Sequence, residues 1–466
     1  MRILHKRPGL SRVEGPKSVA VAVESAAALL ESVREALRAE QEQRWAEAVE
    51  HYRRAWQLRP GDHRLPTNLG NVLWLAGQAE SAVQAFLEAT ALEPEAGVPL
   101  RGLGNALRDL NRFEQADTAY TRSRALEDDP LTAWNHSQLL LGLEEYPMAY
   151  EAAERRLDLE AMLPFRQPPY CADHPTLQGK ASGRPLHLWS EQGFGDTLQY
   201  LRWVVPLCQR PQAITLEVEH QLVDLLEQGL AWLPYPPRVV AKPRDGSGAG
   251  PISAEQAPLM SLPQRLGGAP HAELVPYLRL PRLGAVEAAG QQDAPRIGVV
   301  WAAGRKLDDP FTAREYRRRS LGIGPLCQLL EGLAGHGAQL TGLQVGDDRA
   351  MGLEAEQQAA GRWQWTDQLA EDADFATTAA AVGELDLVIT VDTAMAHLAG
   401  ALGHPAWVLL PWSADPRWLR QRDDSVWYPS LRLWRQHEPD DWSGVVDALL
   451  DALPSGWDNL SCRAPG

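Results

Sequence analysis

Three short stretches combine residue types that could do chemistry. In SEQGFGDTLQY (190–200), Gly193 and Gly195 let the backbone turn sharply and approach a bound group closely, and a helix is expected to begin near Asp196. A carboxylate there can serve as a general base for an attacking hydroxyl, and the plainer alternative is an Asp N-cap after a glycine turn. In WAAGRKLDDPFTAREYRRRSL (301–321), Arg305, Lys306, Arg314, Arg317, Arg318 and Arg319 gather in an otherwise acidic chain. Guanidinium groups bind phosphate oxygens bidentately, so a basic loop beside a strand end suits a diphosphate; a solvated charged loop is the ordinary alternative. In VITVDTAMAHLAG (388–400), a β-branched run stops at Asp392 and an Ala-rich helix follows, ended by Gly403. Free N–H groups and the helix dipole attract anions at such a start. Thr393 and the amides of Ala394 and Met395 are the better phosphate donors, because Asp392 would repel phosphate unless it caps the helix or bonds a sugar hydroxyl. His397 follows Thr393 by four residues on the same helical face, where a protonated imidazole would reach the same ligand and a satisfied core histidine is the alternative.

These stretches sit in a pattern of strands alternating with helices. LHLW, AITLEVE and RVVAKP read as strands of a first half, with the helix HQLVDLLEQGL among them. RIGVVWAAG restarts the pattern, followed by GPLCQLLEGLAGHG, QLTGLQV, LDLVITV, AMAHLAGALG and AWVLLP. Pro- and Gly-rich segments at 163–185 and 283–295 separate the halves from each other and from what precedes them. The expectation is two doubly wound domains facing a cleft, where ligands meet the carboxyl ends of strands. Asp372 and Asp374 resemble a metal-binding D-x-D, but they lie in a polar loop ahead of a helix and read as capping. Six of the 17 Trp residues crowd positions 407–442; core and seam packing explains them better than sugar stacking.

The N-terminal third repeats. Ala48, Ala82 and Ala116 lie 34 residues apart, as do Tyr52, Phe86 and Tyr120, and Gly70 and Gly104 keep the same interval. The register extends back to Ala36 and forward to Gln138, so about four helix pairs fit between residues 20 and 160. Small residues let paired helices approach closely, and the aromatic fills the groove to the next pair. This resembles tetratricopeptide repeats, which implies a concave face for a peptide or protein partner, or a spacer or dimerisation element.

With 466 residues, two or three domains are expected. Lys plus Arg number 45 against 61 Asp plus Glu, a net charge of −16, which argues against nucleic acid or an anionic membrane as the main partner. The first 18 residues are charged without an apolar core, which predicts no signal peptide, and no run is long enough for a transmembrane segment. Cys171, Cys208, Cys327 and Cys462 are scattered, which predicts a reducing cytoplasmic setting without a disulfide frame or a zinc site.

Taken together, SEQGFGDTLQYLRWV, RIGVVWAAG…RRRSL and LDLVITVDTAMAHLAGALGHPAWVLLPWSADPRWL resemble bacterial tetratricopeptide-repeat proteins that carry a glycosyltransferase domain. That domain is of the heptosyltransferase type and distantly similar to O-GlcNAc transferases. The resemblance implies repeats at 20–160, then a GT-B fold with a Rossmann-like acceptor-side domain at 161–285 and a nucleotide-sugar-binding domain at 286–466. It implies an inverting, metal-independent transfer without a cofactor, with Asp196 as base. It further assigns Gly193, Gly195, Gly304, Arg318, Arg319, Gln344, Asp392, Thr393, Ala394 and His397 to the donor and its phosphates. The implied partners are a nucleotide sugar and a protein or glycan acceptor brought by the repeats, with a homo-oligomer as a further option. Departures are a longer loop between Gly304 and Arg317 without the usual His, Thr377 where relatives often carry Asp, and Ala394 in place of the heptosyltransferase Gly. The rival expectations are a scaffold whose transferase fold only binds a nucleotide sugar or partners, and a pure repeat adaptor.

Overall fold

The structure, a computed structural model, describes residues 16–159, 176–177, 179, 183–243, 255–268, 270, 272–280 and 294–453. The chain divides into two compact units, one up to Glu127 and one from Asp128 onward.

The first unit is an array of helices: Pro16–Gln41, Trp45–Leu58, Arg64–Leu75, Ala79–Leu92, Gly97–Asp109 and Phe113–Leu126. Each packs on the next. The 34-residue period has a steric cause. Ala48, Ala82 and Ala116 are fully buried, and Tyr52, Phe86 and Tyr120 are buried against their neighbours. Gly70 and Gly102 both lie against the Phe86 ring, and Gly104 lies against that of Tyr120. A Cβ on Gly102 would stand 2.3 Å from the Phe86 ring, closer than any real contact. Gly102→Ala is therefore expected to cost roughly 1–3 kcal/mol of array stability through overpacking, more than its gain in helix propensity. Gly61→Ala, where a Cβ meets nothing within 4 Å, is the control. Urea denaturation of the full chain checks this, and equal midpoints for the two variants would remove the steric account.

The second unit opens on one more helix pair, Pro130–Gly142 and Tyr146–Ala153, and a 3-10 turn, Glu154–Asp158. The repeat pattern expected as one array over 20–160 is thus split, and its last pair belongs to the α/β part. Packing explains the split. Tyr150 meets Trp203 edge-on at 6.1 Å, and Tyr146 meets Trp427 at 6.4 Å. Arg156, fully buried, grips Glu191 through two hydrogen bonds of 2.9 and 2.7 Å.

Two parallel sheets follow. The first holds β1 (Leu186–Trp189), β2 (Ile214–Val218), β3 (Arg238–Ala241) and β4 (Glu255–Pro258) in the order β3-β2-β1-β4. The second holds β5 (Arg296–Val300), β6 (Gln339–Gly342), β7 (Asp367–Gln368), β8 (Leu387–Val391), β9 (Ala406–Leu410) and β10 (Leu431–Arg435) in the order β10-β9-β8-β5-β6-β7. β8 and β9 are buried along their whole length, as strands covered on both faces must be. In each sheet the chain runs outward from its first strand and then returns to that strand's other side. The order therefore reverses beside β1 and again beside β5, and such switch points open a crevice at the carboxyl ends of strands. The three candidate stretches follow β1, β5 and β8, so all of them lie at these ends.

The basic stretch is not the loop expected: residues Pro310–Arg319 form a helix, with Pro310 in its first turn and Asp309 capping it through a 2.8 Å bond from the Thr312 N–H. Asp374 caps the helix Phe375–Val382 by accepting the Thr377 N–H at 2.7 Å, as its loop position suggested. Of the late Trp residues, Trp407, Trp418, Trp427, Trp434 and Trp442 are buried. Cys208 and Cys327 are free thiols, while Cys171 and Cys462 lie outside the described residues. Among the described residues, no helix is long and apolar enough to cross a membrane.

Candidate functional site

The helix after β1 spans Phe194–Tyr200, so Asp196 is its third residue rather than its cap. Its Oδ2 reaches back to accept the Gly193 N–H at 3.2 Å. Gly193 has an ordinary extended backbone (φ −72°), and the absent side chain at Gly195 serves helix packing: a Cβ there would stand 2.8 Å from His397 Cδ2. Gly195 thus lets this helix approach the one after β8, Ala394–Leu402. Gly403 ends that second helix at φ 69°, the left-handed conformation expected of it.

Thr393, not Asp392, is the N-cap. Its Oγ1 accepts the Met395 N–H at 3.1 Å and lies 3.2 Å from the Thr390 hydroxyl. Ala394 opens the helix, half-buried. Asp392 is buried at the end of β8, with Arg319 Nη1 at 3.9 Å from its Oδ2 and 3.4 Å from its carbonyl oxygen. Burial pushes its carboxyl pKa up, against the pull of Arg319.

His397 is buried too. Its Nδ1 lies 3.0 Å from the Tyr428 hydroxyl, its Nε2 lies 3.3 Å from Arg417 Nη1, and its ring stacks on Trp418 at 5.4 Å. Arginine only donates, so Nε2 accepts and Nδ1 carries the proton. Burial first, and then the Arg417 charge, hold the pKa well below 6.5, so the imidazole is neutral at pH 7. Of the two readings of His397, its contacts favour the satisfied, buried histidine over the protonated, phosphate-facing one.

Arg417, which the sequence reading passed over, joins the parts. It stands on the 3-10 turn Pro416–Trp418 beyond β9. Its guanidinium donates to Asp196 Oδ1 at 2.9 Å, Gln199 Oε1 at 2.7 Å and Asp415 Oδ1 at 2.8 Å. Burial opposes the charged form of Asp415, but the Arg417 charge and hydrogen bonds, with Arg319 beyond, bring its pKa down to about 2. The only sequence signal was the acid–base pair Asp415-x-Arg417 within the long PWSADPRWL block.

The remaining candidates are less central. Arg318 donates to the Ser413 carbonyl and to Glu315. Arg317, Arg318 and Arg319 fill the last helical turn, where they also offset the negative end of the helix dipole. Gln344 is buried with its Oε1 accepting the Trp301 and Ala302 N–H groups at 3.2 and 2.9 Å, so it pins the loop after β5. Ser320 Oγ takes the next N–H, that of Ala303, at 3.0 Å. Gly304 is exposed, and a Cβ there would meet no protein atom within 4 Å, so no contact within the chain requires a glycine.

These features define a helical repeat array joined to an α/β unit of two parallel sheets whose strand ends share one polar network. Residues 39–96 match the tetratricopeptide repeat family, so the repeats are of that type. The chain is 25% identical over 448 residues to Protein FlbA of Caulobacter vibrioides, covering 88% of this chain and 70% of that protein. Among solved structures it is similar to MamA (15% identity, 29% of this chain and 75% of that one, TM-score 0.27). It is also similar to YrrB, a TPR protein with an unusual peptide-binding site (17% identity, 31% and 75%, TM-score 0.26).

Proposed function

We propose that the α/β unit is a glycosyltransferase of GT-B type, which moves a sugar from a nucleotide-sugar donor to an acceptor hydroxyl while the repeats hold a protein partner or acceptor. One observation carries the reading: Asp196, from the first sheet, and Arg319, Asp392, His397 and Arg417, from the second, gather beyond the carboxyl ends of strands at two switch points. In this reading Asp196 takes the acceptor's proton, and the acceptor oxygen bonds to the anomeric carbon. The bond from that carbon to the diphosphate breaks with inversion. Arg319 and the amides at the start of Ala394–Leu402 meet the charge that develops on the leaving group. Asp392, buried and poorly matched to an anion, faces a sugar hydroxyl.

A second reading, a scaffold that binds a nucleotide sugar without turnover, is favoured by a different observation. Both Asp196 oxygens already accept hydrogen bonds, and the Thr393 hydroxyl already caps its helix. Calorimetry and product analysis against a panel of nucleotide sugars decide between the two. At least one nucleotide sugar is expected to bind and turn over. Arg319→Ala is expected to weaken that binding by about tenfold or more, the worth of a charge-assisted hydrogen bond to phosphate. Binding without turnover selects the scaffold, and no binding of any nucleotide removes both readings.

A further inference from the structure

The guanidinium of Arg417 meets four side chains: Asp196 and Gln199 on the helix after β1, Asp415 at the start of its own turn, and His397 on the helix after β8. Its turn is held from several sides. The Trp427 indole N–H donates to the Arg417 carbonyl at 2.6 Å, Arg435 donates to the Trp418 carbonyl, and the helix Pro130–Gly142 packs against the turn. Directly after it, Leu419 is buried at φ 56°, ψ −163°, a backbone conformation that a branched side chain adopts only when its surroundings impose it. Strain maintained beside a fully engaged arginine marks a residue whose placement matters more than its local cost.

We propose that Arg417 is a positioning residue, which sets the Asp196 carboxylate and the His397 ring in one fixed arrangement from the turn after β9. For its catalytic consequence the inference rests on the transferase reading; for its geometry it stands alone. A planar guanidinium can serve several acceptors in different directions at once, which an ammonium on a flexible stem does not do in the same geometry. The charged and titratable groups facing His397 are Arg417 and Asp415 from the turn, Arg319 from the helix Pro310–Arg319, Arg202 from the turn Leu201–Trp203, and the Tyr428 hydroxyl. Arg417 is the one of these that touches both His397 and Asp196.

The test uses the full-length chain with nitrogen-15 histidine labelling, His397 being assigned by its loss in His397→Gln, and nucleotide-sugar turnover measured alongside. In Arg417→Gln the His397 titration is expected to move upward by about one pH unit as the neighbouring cation is lost. On the transferase reading kcat falls roughly 100-fold, the cost of a misplaced group, with KM changed much less. Arg417→Lys keeps the charge but not the fork, so it should return the His397 titration toward its wild-type position and leave kcat depressed. It also supplies the readout should Arg417→Gln not fold. An unchanged His397 titration in Arg417→Gln, or full activity in Arg417→Lys, overturns the proposal. If the wild-type chain binds and turns over no nucleotide sugar, the transferase reading fails, and the histidine titration alone decides the role of Arg417.

Discussion

Replacing Arg156 by alanine is expected to cost the second unit about 3–5 kcal/mol, the range for breaking a buried ion pair by removing one partner. Its side chain is wholly buried and bonds Glu191 twice, Ser261 Oγ at 2.9 Å, the Ala153 carbonyl at 2.9 Å and Glu154 at 3.1 Å. Glu191 is equally buried, so truncation leaves a carboxylate with neither water nor a counter-ion. Arg265 also pairs with Glu154, so the loss spreads through a network that ties the last helix pair to the segment after β1 and to the helical turns Leu259–Ser261 and Leu262–Leu266 after β4. The double variant Arg156→Met/Glu191→Leu, which removes both charges and keeps apolar volume, should lose far less. Urea denaturation followed by tryptophan fluorescence measures both. A single-variant loss below about 1 kcal/mol would show that the pair is solvated in solution. Glu191 lies two residues before Gly193, so the same variant should also disturb the turn that carries Asp196.

On the transferase reading, Asp196→Asn is expected to lower kcat by about 10²–10⁴, the usual contribution of a general base. Asparagine is nearly isosteric, and its carbonyl can still accept from Arg417, so the Arg417 bridge and substrate affinity should survive. The diagnostic result is therefore a fall in kcat with KM nearly unchanged. Activity within about threefold of wild type would assign the proton to another group or to bulk water. His397 is a poor substitute: although neutral, it has its Nε2 lone pair turned to Arg417 and its Nδ1–H to Tyr428.

Much of the architecture could be read from the chain because its signals are local and periodic. The 34-residue interval of Ala48, Ala82 and Ala116 records a helix pair repeating its own packing, and Gly70 and Gly104 mark where Phe86 and Tyr120 fit. Apolar runs such as LDLVIT, followed by Ala-rich stretches, record strands buried on both faces and the helices that cover them. The site was harder to read. Asp196, Arg319, Asp392 and His397 do come together, but the local contacts of several candidates differ from those expected. Thr393 caps where Asp392 was expected to, Gln344 supports backbone, Gly195 serves helix crossing, and the arginine run is the end of a helix. Each of these depends on which hydrogen-bond partner a side chain finds in three dimensions, which spacing along the chain does not specify.

The sequence by itself determined the repeat array, the alternation of strands and helices, and the placement of three polar stretches at strand ends, since these follow from side-chain periodicity and turn chemistry. The tertiary structure alone decided that the last helix pair joins the α/β unit, that Arg417 meets Asp196 from 221 residues away, and that His397 is uncharged. Those outcomes are set by burial and by contacts between distant segments. A side chain's charge and partner belong to its surroundings, and folding brings those surroundings together.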